Sequence, residues 1–260
     1  MPPAARKLRG PQLYSDSDIA ALSGAAFLAR LVLDELLAQA RSGVLPLELA
    51  SVCLERIELA GAKPVMVDVI GDQGQPFGHA CAVSTDDTIA HALPDEQPLR
   101  TGQLATIDLM LSLDGWHADV ADTVVVGGGG HPLLDALDAV WQAGLKAIAP
   151  GVAWSDVAAA MAGAAEAHDV RLVQGLAGHG IGLAPHELPA LPLVPKPSDP
   201  PVILRPGMVF TLEPAITSGS GGTVDSEDGW AIRTADGSPA VAREAMIVVE
   251  NEQTRVLGAS

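Results

Sequence analysis

Apolar and polar positions are patterned most clearly from Gly102 to Gly127, GQLATIDLMLSLDGWHADVADTVVVG. There, two apolar runs, Leu104 to Leu113 and Trp116 to Val126, flank Asp114-Gly115. Asp-Gly between such runs is a strong hairpin signal, because the tight turn asks both central residues for positive φ. Pairing across that turn sets Leu113 opposite Trp116, Ser112 opposite His117 and Met110 opposite Asp119. Side chains repeat every two residues, so Asp108 shares a face with Met110 and lies diagonal to Asp119, roughly 7–8 Å away at Cα. Two carboxylates amid Ile107, Leu109, Met110, Leu111 and Val120 are costly to bury unpaired. A cation is one way to offset that cost; the plainer alternative is that both acids face water.

Helical spacing governs four other stretches. Ser15-Asp16-Ser17-Asp18 supplies cap chemistry for a first helix with Leu28, Leu31, Val32 and Leu36 as its stripe, ended by Gly43. Pro46 opens a second, with Leu49, Val52, Cys53 and Ile57. Leu134, Leu137, Trp141, Leu145 and Ile148 mark a third, closed by Pro150-Gly151, and Ser155-Asp156 caps an Ala-rich fourth reaching about His168. Strands are expected at Val65–Ile70, His79–Ser84, Thr88–His91, within Leu172–Gly182, and at Met208–Ile216, Trp230–Thr234 and Ala245–Val249. Eight prolines between Pro185 and Pro206 predict an extended loop without ladder bonds, and Ser218–Gly222 reads as a flexible linker. Residues 1–13 read as a flexible N-terminal arm and 14–260 as one domain. A faint echo between 42–65 and 150–173, each a helix leading to a strand, suggests two similar halves with an active site between them.

Composition narrows the classes of function. The 260 residues are 48% hydrophobic, enough for a substantial core. A formal net charge of -17 argues against direct nucleic-acid binding or an anionic membrane surface. Cys53 and Cys81 are the only cysteines and form no C-x-x-C pair, which fits a reducing, cytoplasmic setting better than a disulfide framework. The N-terminus lacks the apolar core of a secretory signal, and Ile19–Ala40 is interrupted by Arg30, Asp34 and Glu35, so no membrane span is expected.

Other residues with chemical potential lie beside the predicted strands. His179 sits in GHGIG with His186 seven residues on; Glu213 closes VFTLEP; Glu244 precedes AMIVV; His91 precedes ALPD. Each alone reads as well as an exposed loop or strand-end group. Asp108, Asp119, His179, Glu213 and Glu244 together make four carboxylates and one imidazole, an oxygen-rich set that suits Mn, Fe, Co or Zn. Two such ions can clamp a hydrolytic transition state.

These contexts, TIDL, WHAD, GHGIG, PGMVFTLEP and the glutamate before AMIVV, resemble the type I methionine aminopeptidases, members of the pita-bread family of dinuclear metallohydrolases. The resemblance runs from about Tyr14 to Val256. It implies an α+β pita-bread fold: two pseudo-symmetric halves, with a curved, mainly antiparallel sheet covered by four helices. It further implies two divalent ions held by Asp108, Asp119, His179, Glu213 and Glu244, with Asp119 and Glu244 bridging both. His91 and His186 would contact the scissile amide, and Glu213 would also move a proton. The implied substrates are the N-termini of peptides or nascent proteins, cleaved by a cytoplasmic monomer. Trp230 matches a residue of the substrate pocket.

The chain departs from the family around that pocket. Counting back from His91, a usual pocket cysteine falls on Ala82 and a usual tyrosine on Phe77; Leu176 and Pro185 replace aromatics. Two rival readings are a proline-directed aminopeptidase or dipeptidase using the same ligands, and a non-catalytic pita-bread binding module.

Overall fold

A computed structural model describes residues 10–71 and 73–259; the first nine residues of the expected arm lie outside them. Among the described residues four α-helices form: α1 (Asp16–Gln39), α2 (Pro46–Leu59), α3 (Pro132–Ala147) and α4 (Trp154–Ala167). Ser15 caps α1: its side chain accepts the Asp18 N–H while the Asp18 carboxylate accepts the Ser15 N–H. The buried stripe of α1 includes Leu22, Ala29, Val32, Leu33 and Leu36, whereas Leu31, expected inside, is half exposed. The cap of α4 is Ala153, so Ser155 and Asp156 sit in its first turn instead of capping it.

The hairpin forms with the expected register. Leu104–Leu113 pairs with Trp116–Val125, with Leu113 opposite Trp116, Ser112 opposite His117 and Met110 opposite Asp119. Asp114 and Gly115 take φ of 52° and 86°, the left-handed values that a two-residue connection demands. Lys63–Pro64 and Cys81–Thr85 pair with the other edge of Leu104–Leu113 at different points along its length. A second, five-stranded sheet runs in the order Thr254–Val256, Ala245–Val249, Val209–Leu212, Ala177–Gly180, Glu187–Pro192. Two three-stranded ladders flank them, and every strand pairing is antiparallel. Ala121 and Glu244 exchange backbone hydrogen bonds of 3.2 and 2.7 Å, which splices the hairpin to the second sheet.

Apolar burial follows the same division. One core gathers α1 and α2 onto the hairpin through Leu33, Leu36, Ile57, Ile107 and Leu109. Another gathers α3 and α4 onto the second sheet through Leu137, Trp141, Met161, Phe210 and Ile247. The weak internal echo has a counterpart in the element order: α2 and α4 are each 14 residues long and each leads into a two-residue strand. Among the described residues, no helix is long and apolar enough to cross a membrane.

Three expectations need correction. Val65–Ile70 is not a strand. After Lys63–Pro64 the chain leaves the sheet edge and turns through a 3-10 segment, Met66–Asp68, which buries Met66 against Phe77 and Met110. Packing of one side chain outweighs the β-branched preference of its neighbours. The proline-rich stretch holds a strand, Glu187–Pro192. It pairs with Ala177–Gly180 at the sheet edge, where a proline on the unpaired side removes no ladder bond. Ser218–Gly222 is tied down, because Asp236 accepts the Ser220 N–H at 2.7 Å and packs where Gly219 lacks a Cβ.

Candidate metal centre

Five side chains from both halves converge where the hairpin meets the second sheet. Asp108 and Asp119 come from the two hairpin strands and His179 from Ala177–Gly180. Glu213 follows Val209–Leu212, and Glu244 precedes Ala245–Val249. Asp119 and Glu244 are brought together by the Ala121–Glu244 bridge. His179 is flanked by glycines for a steric reason. A Cβ on Gly178 would collide with the Thr211 carbonyl, and one on Gly180 with the Leu188 carbonyl, so the imidazole sits on a strand pressed from both sides. Thr211, fully buried, links two members of the set. Its hydroxyl accepts the His179 N–H at 3.0 Å and donates to Glu213 Oε1 at 2.5 Å. A threonine sharing the Glu213 face of an apolar strand was the sequence signal for this role, though nothing local said which backbone it would meet.

The side-chain atoms form overlapping groups of metal-binding size. Asp108, Asp119 and Glu244 have donor atoms within 4.8 Å of one another, as do His179, Glu213 and Glu244; Asp119, His179 and His186 make a third grouping. His179 Nε2 lies 3.7 Å from Asp119 Oδ2 and 3.8 Å from Glu213 Oε1. Asp119 Oδ1 and Glu244 Oε1 are buried with no hydrogen-bond partner among the described residues. Buried carboxylate oxygens without a donor are rare and expensive. The donor set therefore fits divalent cations, and each orphaned oxygen belongs to a residue that sits in two of the three groupings.

Electrostatics point the same way. Burial pushes Asp108 up to about 7 and Glu213 to about 8. Asp119 and Glu244 are raised well above the usual carboxylate range by burial and by the neighbouring carboxylates. Burial lowers His179 to about 4, and partial desolvation also depresses His91, His117 and His186. A raised carboxyl binds protons in the folded state that the unfolded chain has released, so it contributes stability that is lost as pH rises through its folded pKa. Depressed histidines act oppositely, adding stability up to about pH 6.5, where the unfolded imidazole loses its proton. Between about pH 6.5 and 8 only the carboxylates act. The chelator-stripped protein is expected to lose thermal stability across that window, and divalent metal, which replaces the protons, is expected to abolish the loss. Melting curves at several pH values, with and without metal, check this; a stripped protein whose melting temperature rises from pH 6.5 to 8 contradicts it.

A cavity of about 330 Å³ opens onto the cluster. His91, at a positive φ of 58°, and His186 are exposed at its wall, with the His186 and His179 rings 4.2 Å apart between centroids. One side is apolar: Met66, Val69, Phe77, Met110 and Trp230, with the Phe77 and Trp230 rings edge-on at 5.1 Å. Phe77 and Trp230, singled out in the sequence, thus line the cavity. Ala82 does not. It lies opposite Asp108 in the ladder and packs behind Met66, Phe77 and Met110. Met66 and Met110 were missed, because a methionine in an apolar run reads as ordinary core.

The chain from residue 20 to 251 matches the model of Metallopeptidase family M24. It is 34% identical over 233 residues to a methionine aminopeptidase of Treponema pallidum, covering 88% of this chain and 89% of that protein. It is also 34% identical over 270 residues to methionine aminopeptidase 1 of Mycobacterium tuberculosis, covering 99% of each. Among solved structures, the methionine aminopeptidase of Rickettsia prowazekii superposes with a TM-score of 0.89 at 26% identity, over 96% of this chain and 100% of that one.

Proposed function

Because this chain belongs to metallopeptidase family M24, and within it to the methionine aminopeptidases, we propose that it removes N-terminal methionine from peptides and nascent proteins. The observation that carries the reading is the pair of orphaned oxygens, Asp119 Oδ1 and Glu244 Oε1, inside a five-residue cluster at the floor of a half-apolar cavity. Asp108, Asp119, His179, Glu213 and Glu244 would hold two divalent ions, drawn from Mn, Fe, Co and Zn. Such ions, when bound, supply Lewis acidity and bring the pKa of water towards neutrality.

The chain's own residues do the rest. Met66, Val69, Phe77, Met110 and Trp230 form a flexible apolar wall for an unbranched thioether side chain. That wall fixes the scissile amide over the carboxylates. His91 and His186, free of the carboxylate cluster's hydrogen bonds and open to the cavity, donate to the carbonyl oxygen as it gains charge and orient the amide nitrogen. Glu213 holds the proton that travels from water to the leaving amine; the Thr211 hydroxyl on Oε1 leaves Oε2 for that task.

A peptide panel tests this reading. On metal-reconstituted enzyme, Met-terminal peptides are expected to be cleaved best. Leu- and norleucine-terminal peptides should follow within roughly 10–200-fold, since one methylene in an apolar pocket is worth about 1–3 kcal/mol. Preference for Ala-terminal peptides or for Xaa-Pro bonds, with Met barely cleaved, would replace the assignment by a proline-directed peptidase. Because Ala82 sits behind the wall, Ala82→Cys is expected to leave the Met-to-Leu ratio within about threefold, a small packing change by the same scale.

A further inference from the structure

The turn that carries His186 is braced from beneath by two residues with no assigned part in the reaction. Tyr14 lies one position before the cap of α1, and its N–H donates to the Gly207 carbonyl at 2.7 Å. Its hydroxyl donates to the Glu187 carboxylate, 2.8 Å from Oε2 and 3.0 Å from Oε1, and accepts the Leu183 N–H at 3.1 Å. Glu187 Oε1 also accepts the Ala184 N–H at 2.9 Å. Glu187 is only 7% exposed, although it neighbours the exposed His186 in the chain. From the hairpin, the His117 N–H donates to the Gly182 carbonyl at 2.8 Å. Gly182 itself has no room for a side chain, because a Cβ there would fall on the Tyr14 hydroxyl. The Tyr14 ring stands edge-on to Trp116, with centroids 5.7 Å apart. Three consecutive residues of the turn, 182 to 184, are thus each fixed by a group from outside it.

We propose that Tyr14 and Glu187 are positioning residues for His186, holding the 182–186 turn so that the imidazole faces the cavity. This rests on the reading of His186 as a substrate contact. A buried carboxylate is retained only where donors satisfy it, and here the donors are a phenol and a backbone N–H of the turn it steadies. Burial and the adjacent carboxylate raise the Tyr14 hydroxyl above its ordinary pKa, so it stays a donor throughout the working range. The segment just ahead of α1 therefore takes part in shaping the site, across 173 residues of sequence from Glu187.

Kinetics of single and double variants test the proposal. Displacing a catalytic group by about 1 Å can cost on the order of 10²-fold in rate, and Tyr14→Phe keeps the ring and the Ala184 bond. It is expected to lower kcat about tenfold, a fraction of that limit, with KM within about twofold and metal content unchanged. Glu187→Gln keeps one acceptor oxygen and should lose less. In a His186→Ala background neither change should cost anything further, because each acts only through that imidazole. A merely structural role would lower the melting temperature but leave kcat of the folded fraction intact, or give losses that multiply with His186→Ala; either result overturns the proposal. Should Tyr14→Phe fail to fold, Glu187→Gln decides by the same two criteria. If His186→Ala alone keeps wild-type kcat, the reading of His186 falls, and the inference with it.

Discussion

Glu244→Ala is expected to reduce kcat/KM by at least about 10³-fold, equivalent to about 4 kcal/mol of lost transition-state stabilisation. Glu244 is 7% exposed, belongs to two of the three donor groupings, and carries an oxygen with no other partner. On the proposed assignment, its removal takes a donor from two of those groupings at once. The backbone bridge to Ala121 is made by main-chain atoms, so the splice between hairpin and sheet survives the substitution. The folded variant should in fact be more stable than wild type in metal-free solution, because it loses a carboxyl whose charged form is disfavoured by burial and by the neighbouring carboxylates. Steady-state assays on metal-reconstituted protein check the rate. A variant with wild-type kcat/KM would remove Glu244 from the centre.

His91→Ala and His186→Ala are each expected to cut kcat by about 10²–10³-fold, the usual cost of losing one donor to a developing oxyanion, while leaving metal content as in wild type. The distinction from His179 is geometric. His179 lies between Asp119 and Glu213 and its backbone is locked by Thr211, whereas His91 and His186 are exposed at the cavity wall. The grouping of Asp119, His179 and His186 makes the metal readout informative. If His186→Ala lost metal as fully as His179→Ala, His186 would be a ligand and the division of roles would be wrong.

The hairpin was legible residue by residue because two strong local rules act together: a period of two, and a turn that only Asp-Gly-like pairs adopt without strain. That is why the Met110–Asp119 register, and with it the placement of both aspartates, followed from the chain alone. Gly178 and Gly180 announced a close approach, but not that Thr211 and Leu188 would supply the carbonyls, since those contacts depend on strand order. Convergence of five ligands likewise depends on topology, and it became readable only through the resemblance of whole motifs in order. Val65–Ile70 misled because β-branched content outlines a strand only where a ladder partner exists, and Met66 was wanted by the cavity. Pro185–Pro206 misled for the opposite reason: proline bars central strands but not an edge, and Glu187–Pro192 lies at one. The brace of Tyr14 on Glu187 left no local trace at all.

The central claim is that one five-residue cluster holds two divalent ions. Calorimetric titration of chelator-stripped protein with Mn or Co, on wild type and Glu244→Ala in parallel, tests it most directly. The account predicts a stoichiometry approaching two ions per wild-type chain, with proton release near neutral pH as the raised carboxyls ionise, and at most one weakly held ion in the variant. Equal stoichiometry and affinity in the two proteins would contradict it.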